Sequence, residues 1–344
     1  MNIEVDQTDA FSLLAAMGLA AILDSACVGV RLRWITPTTV EVSAGDLSDD
    51  EIAAIVRFHA EQRATNSWVT TVGEIDGAKR APLSPRIGTP AQQESWISLQ
   101  TQRHAAIDAI SPEHHLDLRF VGSLGEPAYW AIGKDRTFVD YGASAWEMKT
   151  RNRGEEFVQN RLAHLAQVVS KRTPEGVRDG LTGVLVRDEA GKDSLTSRTP
   201  TGLRAPGPAD NARAWCALWG ISFFPVRPMM AASPRYPRRS RTAGTVYEQR
   251  AAWFAIPRFG RRVTMARVRS VARSAELLDV VRGEAAEQDA DATSSMSASD
   301  SARAWLRRHG VVGLSLFRQV KSDNINAPEP WLLPGRYVST KPRV

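Results

Sequence analysis

The chain of 344 residues has only two cysteines, Cys27 and Cys216, and six histidines. Two cysteines cannot build a disulfide framework, and no histidine pair follows them at the spacing of a structural zinc site. Both lie in apolar helical patterns, so we expect buried, reduced thiols. The sequence therefore predicts no metal site and no cofactor, and it favours a reducing compartment.

Long apolar runs are also missing. The longest, from Phe11 to Cys27, is too short for a membrane span and follows acidic residues, whereas a signal peptide begins with basic ones. We predict a buried helix there, no membrane partner and a cytoplasmic location. Phosphate-binding glycine loops and the Gly-x-Ser-x-Gly motif of hydrolases are absent too, so neither motif supports an enzyme.

Lysine is scarce, so arginine supplies nearly all of the positive charge behind a net charge of +6. Hydrophobic residues make up 43% and charged residues 24%, which is ordinary for a globular protein. The guanidinium group binds phosphate through a planar fork of donors, which favours a nucleic-acid partner. A genome rich in G and C produces the same bias, so composition alone is weak evidence for this function.

Hydrophobic periodicity predicts short strand pairs packed with helices. Predicted helices cover residues 10–26, 49–64, 91–110, 154–171, 209–219, 264–282 and 303–309. Predicted strands cover residues 30–35, 39–42, 116–121, 129–132, 181–186, 221–226, 250–257 and 311–319. Strands and helices alternate too irregularly for a doubly wound sheet, so we predict a mixed α+β fold with irregular topology.

Turn-forming and charged residues at 188–208 suggest a boundary between two α+β domains, 1–187 and 209–344. The C-terminal domain contains a basic, proline-rich loop at 227–245. It also contains a tract at 283–301 of Glu, Asp, Ser and Ala with few large apolar residues. Such a composition buries little surface, so we expect that tract to be mobile.

The basic loop is the most pronounced candidate site. Unpaired guanidinium groups are costly to bury, so the loop has to face water or an anion. Prolines stiffen its backbone, and its tyrosine is suited to stacking on a base. The predicted nucleic-acid contacts are Arg235, Tyr236, Arg238, Arg239 and Arg241. A solvated loop without a specific ligand is the competing interpretation.

Two further basic clusters are candidates for backbone contact. One consists of Lys149, Arg151, Asn152 and Arg153. The other consists of Arg262, Arg269 and Arg273, whose spacings of seven and four residues place them on one face of a predicted helix. We call these the second and the third cluster, and a solvated helix face explains the third cluster equally well.

The segment around Glu147 also allows an enzymatic interpretation. Asp140 followed by Glu147 and Lys149 loosely fits the pattern of magnesium-dependent nucleases, in which two carboxylates hold the metal and a lysine steadies the phosphate. The apolar strand that normally surrounds the second acid is weak here. A magnesium-dependent nuclease is therefore an alternative to simple binding.

Three segments, Phe11–Leu19, Trp146–Arg151 and Ala217–Val226, resemble segments of CRISPR-associated proteins encoded in type I-G (formerly I-U) loci. The resemblance implies a large-subunit-like component of a Cascade-type effector complex, with CRISPR RNA, target DNA and other effector subunits as partners. In such complexes base pairing reads the sequence while protein subunits hold the backbones. Cleavage belongs to a separate helicase-nuclease.

From these observations we expect a non-enzymatic subunit of a CRISPR RNA-guided surveillance complex. Its arginine clusters would contact the backbone of guide RNA or target DNA. The alternatives are the nuclease described above and a scaffold protein whose arginines face an acidic protein partner.

Overall fold

The computed structural model describes most of the chain. The described residues are 1–26, 29–75, 77–84, 93–124, 129–132, 137–140, 157–224, 241–242, 245–248, 251–288, 296–321, 323 and 329–341. Within them helices pack with several small antiparallel sheets, so the predicted α+β class is confirmed. No helix among these residues combines the length and apolar character needed to cross a bilayer.

Helices contribute more residues to the described structure than strands do. They are α1 (Ala10–Ala26), α2 (Asp49–Ala64), α3 (Gln93–Asp108), α4 (His115–Leu124), α5 (Ala163–Lys171), α6 (Pro174–Thr182), α7 (Asn211–Gly220), α8 (Met265–Ala272), α9 (Ala275–Gln288) and α10 (Met296–Arg308). A π-helical turn, Val158–Leu162, leads into α5, and a 3₁₀ turn, Ile221–Phe223, follows α7.

The strands are short. They are β1 (Asn2–Glu4), β2 (Val30–Thr36), β3 (Thr39–Ala44), β4 (Gly73–Ile75), β5 (Ala78–Arg80), β6 (Tyr129–Ile132), β7 (Thr137–Asp140), β8 (Arg241–Thr242), β9 (Thr245–Glu248), β10 (Ala251–Phe259), β11 (Val263–Thr264), β12 (Val311–Lys321), β13 (Pro330–Leu332) and β14 (Arg336–Ser339). All of their pairings are antiparallel.

Two main sheets are present. The N-terminal sheet has the strand order β1-β3-β2-β11, and the larger sheet has the order β13-β12-β10-β9-β8, with β14 also paired to β12. The hairpins β4-β5 and β6-β7 are separate two-stranded sheets. Because β11 pairs with β2, the N-terminal sheet is completed by a segment far along the chain.

Helices α1 and α7 form the centre of the core. Their backbones are in contact at Gly18, where an added Cβ would lie 1.7 Å from the carbonyl oxygen of Cys216. Trp215 and Trp219 are fully buried one turn apart on α7. The Cys216 thiol is buried as predicted, and burial raises its pKa, so it stays protonated and unreactive. Cys27 lies outside the described residues.

The predicted N-terminal hairpin and the helix after it are confirmed. Along β2 and β3 buried residues alternate with more exposed ones, as the sequence pattern requires. Helix α2 begins with a capping box, in which the Ser48 hydroxyl accepts a hydrogen bond from the Glu51 backbone N–H at 3.3 Å. The Glu51 carboxylate accepts one from the Ser48 backbone N–H at 2.8 Å. These bonds satisfy donors that the helix leaves unpaired.

Three predicted strands are wrong. Residues 116–121 lie in α4, and residues 221–223 form the 3₁₀ turn after α7. Residues 181–186 cover the end of α6 and an exposed loop, because Gly183 ends that helix in the left-handed conformation with φ of 86°. Short apolar runs fit the period of a strand and of a buried helix equally well, which explains these errors.

One prediction in the C-terminal part is also corrected. The single helix predicted from Thr264 to Arg282 is two helices, α8 and α9, because Ser274 interrupts it and caps the second. The mobility of the tract at 283–301 stays a prediction. Its residues 289–295 lie outside the described residues, and the others belong to the end of α9 and the start of α10. Glu284 within it is buried in an ion pair with Arg303.

The division into 1–187 and 209–344 stays a prediction. Helices α1 and α7, which lie on opposite sides of the predicted boundary, pack together, and the described buried apolar residues form one cluster. The intervening loop is organised around Asp188, whose carboxylate accepts a hydrogen bond from the Asn211 side chain at 2.9 Å.

Candidate nucleic-acid interface

Most of the residues predicted to contact nucleic acid lie outside the described residues. These are, in the basic loop, Arg235, Tyr236, Arg238 and Arg239, and in the second cluster, Lys149, Arg151, Asn152 and Arg153. The backbone of Arg241 lies in β8 and pairs with β9. Nucleic-acid contact by these residues stays a prediction, and the third cluster is the one that the structure describes.

The third cluster is not a single helical face, so that prediction is wrong. Helix α8 begins at Met265, and Arg262 precedes it in the turn between β10 and β11. Thr264 caps the first turn of α8 with its hydroxyl group. Arg269 and Arg273 do lie four residues apart at the end of α8, with Arg273 as the C-cap residue. The cluster therefore divides into a sheet part and a helix part.

The sheet part lies on the solvent-facing side of the N-terminal sheet. We call Arg31, Arg33 and Arg262 the sheet patch. Arg31 and Arg33 alternate along β2 with fully or nearly buried residues, so their side chains point away from the core. Arg262 joins them because β11, which directly follows it, pairs with β2. The sheet thus presents its arginines on one side.

Glu41 on β3 binds two arginines of the sheet patch. It lies opposite Arg33 in the β2-β3 ladder and forms an ion pair with it. Its carboxylate also accepts hydrogen bonds from Arg262 at 2.8 and 3.1 Å. These bonds, from Arg262 and from Arg33, lower the pKa of Glu41 to about 2. Arg31 forms no ion pair with a described residue and donates to the Val30 carbonyl oxygen at 3.0 Å.

The helix part gathers around the end of α1. We call Arg119 of α4, Arg269 and Arg273 the helix patch. Arg269 forms an ion pair with Asp24 of α1 at 3.0 Å. Arg119 donates from Nε to the His115 carbonyl oxygen at 3.1 Å. Neither Arg119 nor Arg273 forms an ion pair within the described part of the chain.

The helix patch carries three arginines, and Asp24 is the one described carboxylate that forms an ion pair with them. Burial, together with the neighbouring Arg269, lowers the pKa of Arg119 and of Arg273. Asp24 partly opposes this effect at Arg119. A lowered pKa means that the protonated guanidinium is less favourable than in water, so a bound anion would stabilise both groups.

Two other arginines near the third cluster have structural contacts. Arg258 is buried and donates to the carbonyl oxygen of Pro37 at 2.6 Å and to the side chain of Gln7 at 3.2 Å. Arg261 donates to the carbonyl oxygen of Arg308 at 3.1 Å. These bonds tie chain segments together, so we leave both residues out of the candidate interface.

Sequence reasoning missed three members of the two patches. Arg31 and Arg33 occupy the outward-facing positions of β2, a strand that was predicted from its alternating pattern. The sequence therefore contained the signal for both residues. Arg119 was hidden, because the segment that carries it was interpreted as a strand. Its approach to Asp24 and Arg269 depends on the packing of α4 and of α8 beside α1, which no local pattern reveals.

The nuclease alternative has little described structure. Asp140 ends β7, whereas Glu147 and Lys149 lie outside the described residues. In the described ranges no group of three or more His, Cys, Asp or Glu side chains is arranged to hold a metal ion. The proposed Asp140, Glu147 and Lys149 site stays a prediction.

In comparisons with known proteins, no family model matches the chain, and no curated protein shows significant similarity to it. The resemblance to CRISPR-associated proteins therefore stays a prediction from short motifs.

Proposed function

We propose that this protein binds the phosphate backbone of nucleic acid, and that the sheet patch and the helix patch form the described part of its binding surface. We call the two patches together the basic surface. The supporting observation is an imbalance of charge, since the guanidinium groups of both patches pair with only two described carboxylates, Glu41 and Asp24. Phosphate oxygens supply acceptors of the geometry that arginine forks prefer.

The two patches are neighbours along the chain and in the fold. Thr264 lies opposite Arg31 in the β2-β11 ladder and also caps α8, which carries Arg269. A backbone that crosses from the sheet to the helix would meet guanidinium groups on both. Contacts of this kind fix position without reading bases, so we expect weak sequence preference and an affinity that falls with salt.

The identity of the nucleic acid is the finer part of the proposal. On the resemblance described above, the bound strand is guide RNA or target DNA, and the protein acts as a subunit of a type I CRISPR effector complex. The basic loop with Arg235, Arg238 and Arg239 would then extend the contacts of the basic surface. Partner subunits would occupy other parts of the molecule.

Fluorescence anisotropy with labelled single-stranded RNA and duplex DNA tests this proposal. The test variant replaces Arg31, Arg119 and Arg273, the three arginines without a described ion pair, by Gln. We expect its affinity for the preferred ligand to fall at least about tenfold, because three phosphate contacts are lost.

A control variant removes the same charge elsewhere, by replacing the exposed Lys171, Arg187 and Lys192 with Gln. It should bind within about twofold of the wild type. Equal losses in both variants would mean that net charge alone matters, which contradicts a defined surface. A wild type that binds neither ligand but binds polyglutamate would support the scaffold alternative instead.

A further inference from the structure

A separate cavity lies beside the start of α4. The end of α2, the loop after it, β4 and α3 form its other walls. Its volume is about 720 Å³, which is in the range of small-molecule sites. None of the arginines of the basic surface lines it. The cavity therefore needs an explanation of its own.

The cavity combines apolar surface with neutral hydrogen-bonding groups. Its apolar surface comes mainly from Trp68, Val72, Ala105, Ala106, Ala109 and Ile110. Its neutral polar groups include the side chains of Gln62, Asn66, Thr71 and Gln102. Val72 is 40% exposed, so part of this apolar surface is open to a ligand.

The charges that line the cavity are already satisfied. Among the described lining residues, Arg63 and Asp117 form a buried ion pair, in which Arg63 Nε donates a hydrogen bond to the Asp117 carboxylate at 2.9 Å. Trp68 Nε1 donates to the same carboxylate at 2.6 Å, and Arg63 donates to the His59 carbonyl oxygen at 2.8 Å. A charged ligand would find no free counter-charge in this pair, so the cavity favours a neutral ligand.

The floor of the cavity is rigid. The Arg63 guanidinium lies 4.9 Å from the ring centroid of Trp219, and that ring stacks on Phe120 at 4.6 Å. Trp68 packs on Phe120 from another direction, with ring centroids 6.1 Å apart. Aromatic packing around a buried ion pair leaves little freedom to collapse, so the cavity is formed before any ligand arrives.

We propose that this cavity receives one unpaired nucleobase of a strand held on the basic surface, an inference that rests on the function proposed above. The base is the part of a nucleic acid that is planar, neutral and bordered by hydrogen-bonding groups, whereas phosphate is charged. Asp117, which lines the cavity, and Arg119 of the helix patch lie two residues apart on α4, so their side chains leave the helix on different sides. A strand that occupies both sites therefore has to cross α4.

The first test compares two fluorescent single strands of equal length, one with bases and one with abasic sugars throughout. Both carry the same phosphates, so backbone binding affects them equally. We expect the wild type to bind the base-containing strand at least about fivefold more tightly, which is the lower end of the effect of stacking a single base. Equal affinities would overturn the proposal for the cavity while leaving backbone binding intact.

The second test uses the substitution Ala105→Phe, which places an aromatic ring in the cavity. Ala105 is an exposed residue of α3 that lines it. The matched control is His104→Phe, which places the same ring on the adjacent exposed position outside the cavity. We expect Ala105→Phe to abolish the preference for bases and His104→Phe to keep it. A preference that survives in Ala105→Phe would show that bases are recognised elsewhere and would overturn the proposal.

Free adenosine and uridine separate this inference from the function on which it rests. If neither strand binds, the proposal of backbone binding is wrong. Saturation-transfer NMR with the two nucleosides then tests whether the cavity binds a base. Transfer that Ala105→Phe abolishes and His104→Phe retains would support a base site. The absence of transfer in the wild type would overturn it.

Discussion

The arginine under the cavity and the arginines of the basic surface differ in what neutralises them. Arg63 is buried and donates hydrogen bonds to Asp117 and to the backbone of α2, while Trp68 donates to the same Asp117 carboxylate. Arg31, Arg119 and Arg273 have no carboxylate partner among the described residues. The first arrangement holds the fold together, whereas the second keeps positive charge available to a ligand.

This difference limits what arginine content says about function. Arg172 and Arg303, like Arg63, have side chains that are almost fully buried in ion pairs. Such residues add to the basic composition without adding to a binding surface. The number of arginines is therefore a poor guide to nucleic-acid binding. The number of arginines without a carboxylate partner is a better guide.

The largest expected effect is on stability. Asp117→Asn leaves Arg63 buried without its counter-charge, so we expect the free energy of unfolding to fall by about 3–5 kcal/mol. Asp24→Asn breaks the partly exposed pair with Arg269 and should cost about 1 kcal/mol or less. Urea unfolding of both variants measures the difference. Equal costs would remove the distinction between the two kinds of arginine.

The second expected effect is on binding. Asp24→Asn removes a negative charge from the helix patch, so affinity for a nucleic-acid backbone should rise, by up to about fivefold at low salt. Folded Asp117→Asn should bind the abasic strand like the wild type, because its charge lies at the cavity and outside the basic surface. Anisotropy titrations at low and high salt test this. A decrease in affinity on removing Asp24 would mean that this carboxylate positions Arg269 for binding.

The smallest expected effect concerns Glu41 and pH. Its pKa is lowered from an ordinary value of 4.5 to about 2, so the folded protein holds this carboxylate ionised where the unfolded chain protonates it. The stability it contributes is present above pH 4.5 and is lost as the pH falls toward 2. We expect Glu41→Gln to cost about 1 kcal/mol or less near neutral pH. That cost should shrink on acidification, and a constant cost between pH 6 and pH 3 would contradict it.

Local signals predicted the first part of the fold well. The small-residue helix α1, the alternating β2-β3 hairpin and the Ser48 cap of α2 are each specified within a few residues of sequence. The errors arose where local patterns fit two structures, as at 116–121. Local patterns also do not show distant partners, such as Arg303 and Arg336, which form ion pairs with the buried Glu284.

The candidate site was predictable only in part. The third cluster drew attention to Arg262, Arg269 and Arg273, yet its single-helix geometry was wrong. Its true neighbours, Glu41 and Asp24, come from elements far away in the sequence and became visible only through tertiary packing. Sequence patterns identify where charge is concentrated, and packing decides which charges remain unpaired.

The salt dependence of binding tests the central claim most directly. The slope of log affinity against log salt concentration reports the number of phosphates contacted, at about 0.7–0.9 for each. Replacing Arg31, Arg119 and Arg273 by Gln should reduce the magnitude of that slope by about 2, while the control at Lys171, Arg187 and Lys192 should leave it unchanged. An unchanged slope in the first variant would contradict the assignment of the basic surface as the site that binds phosphate.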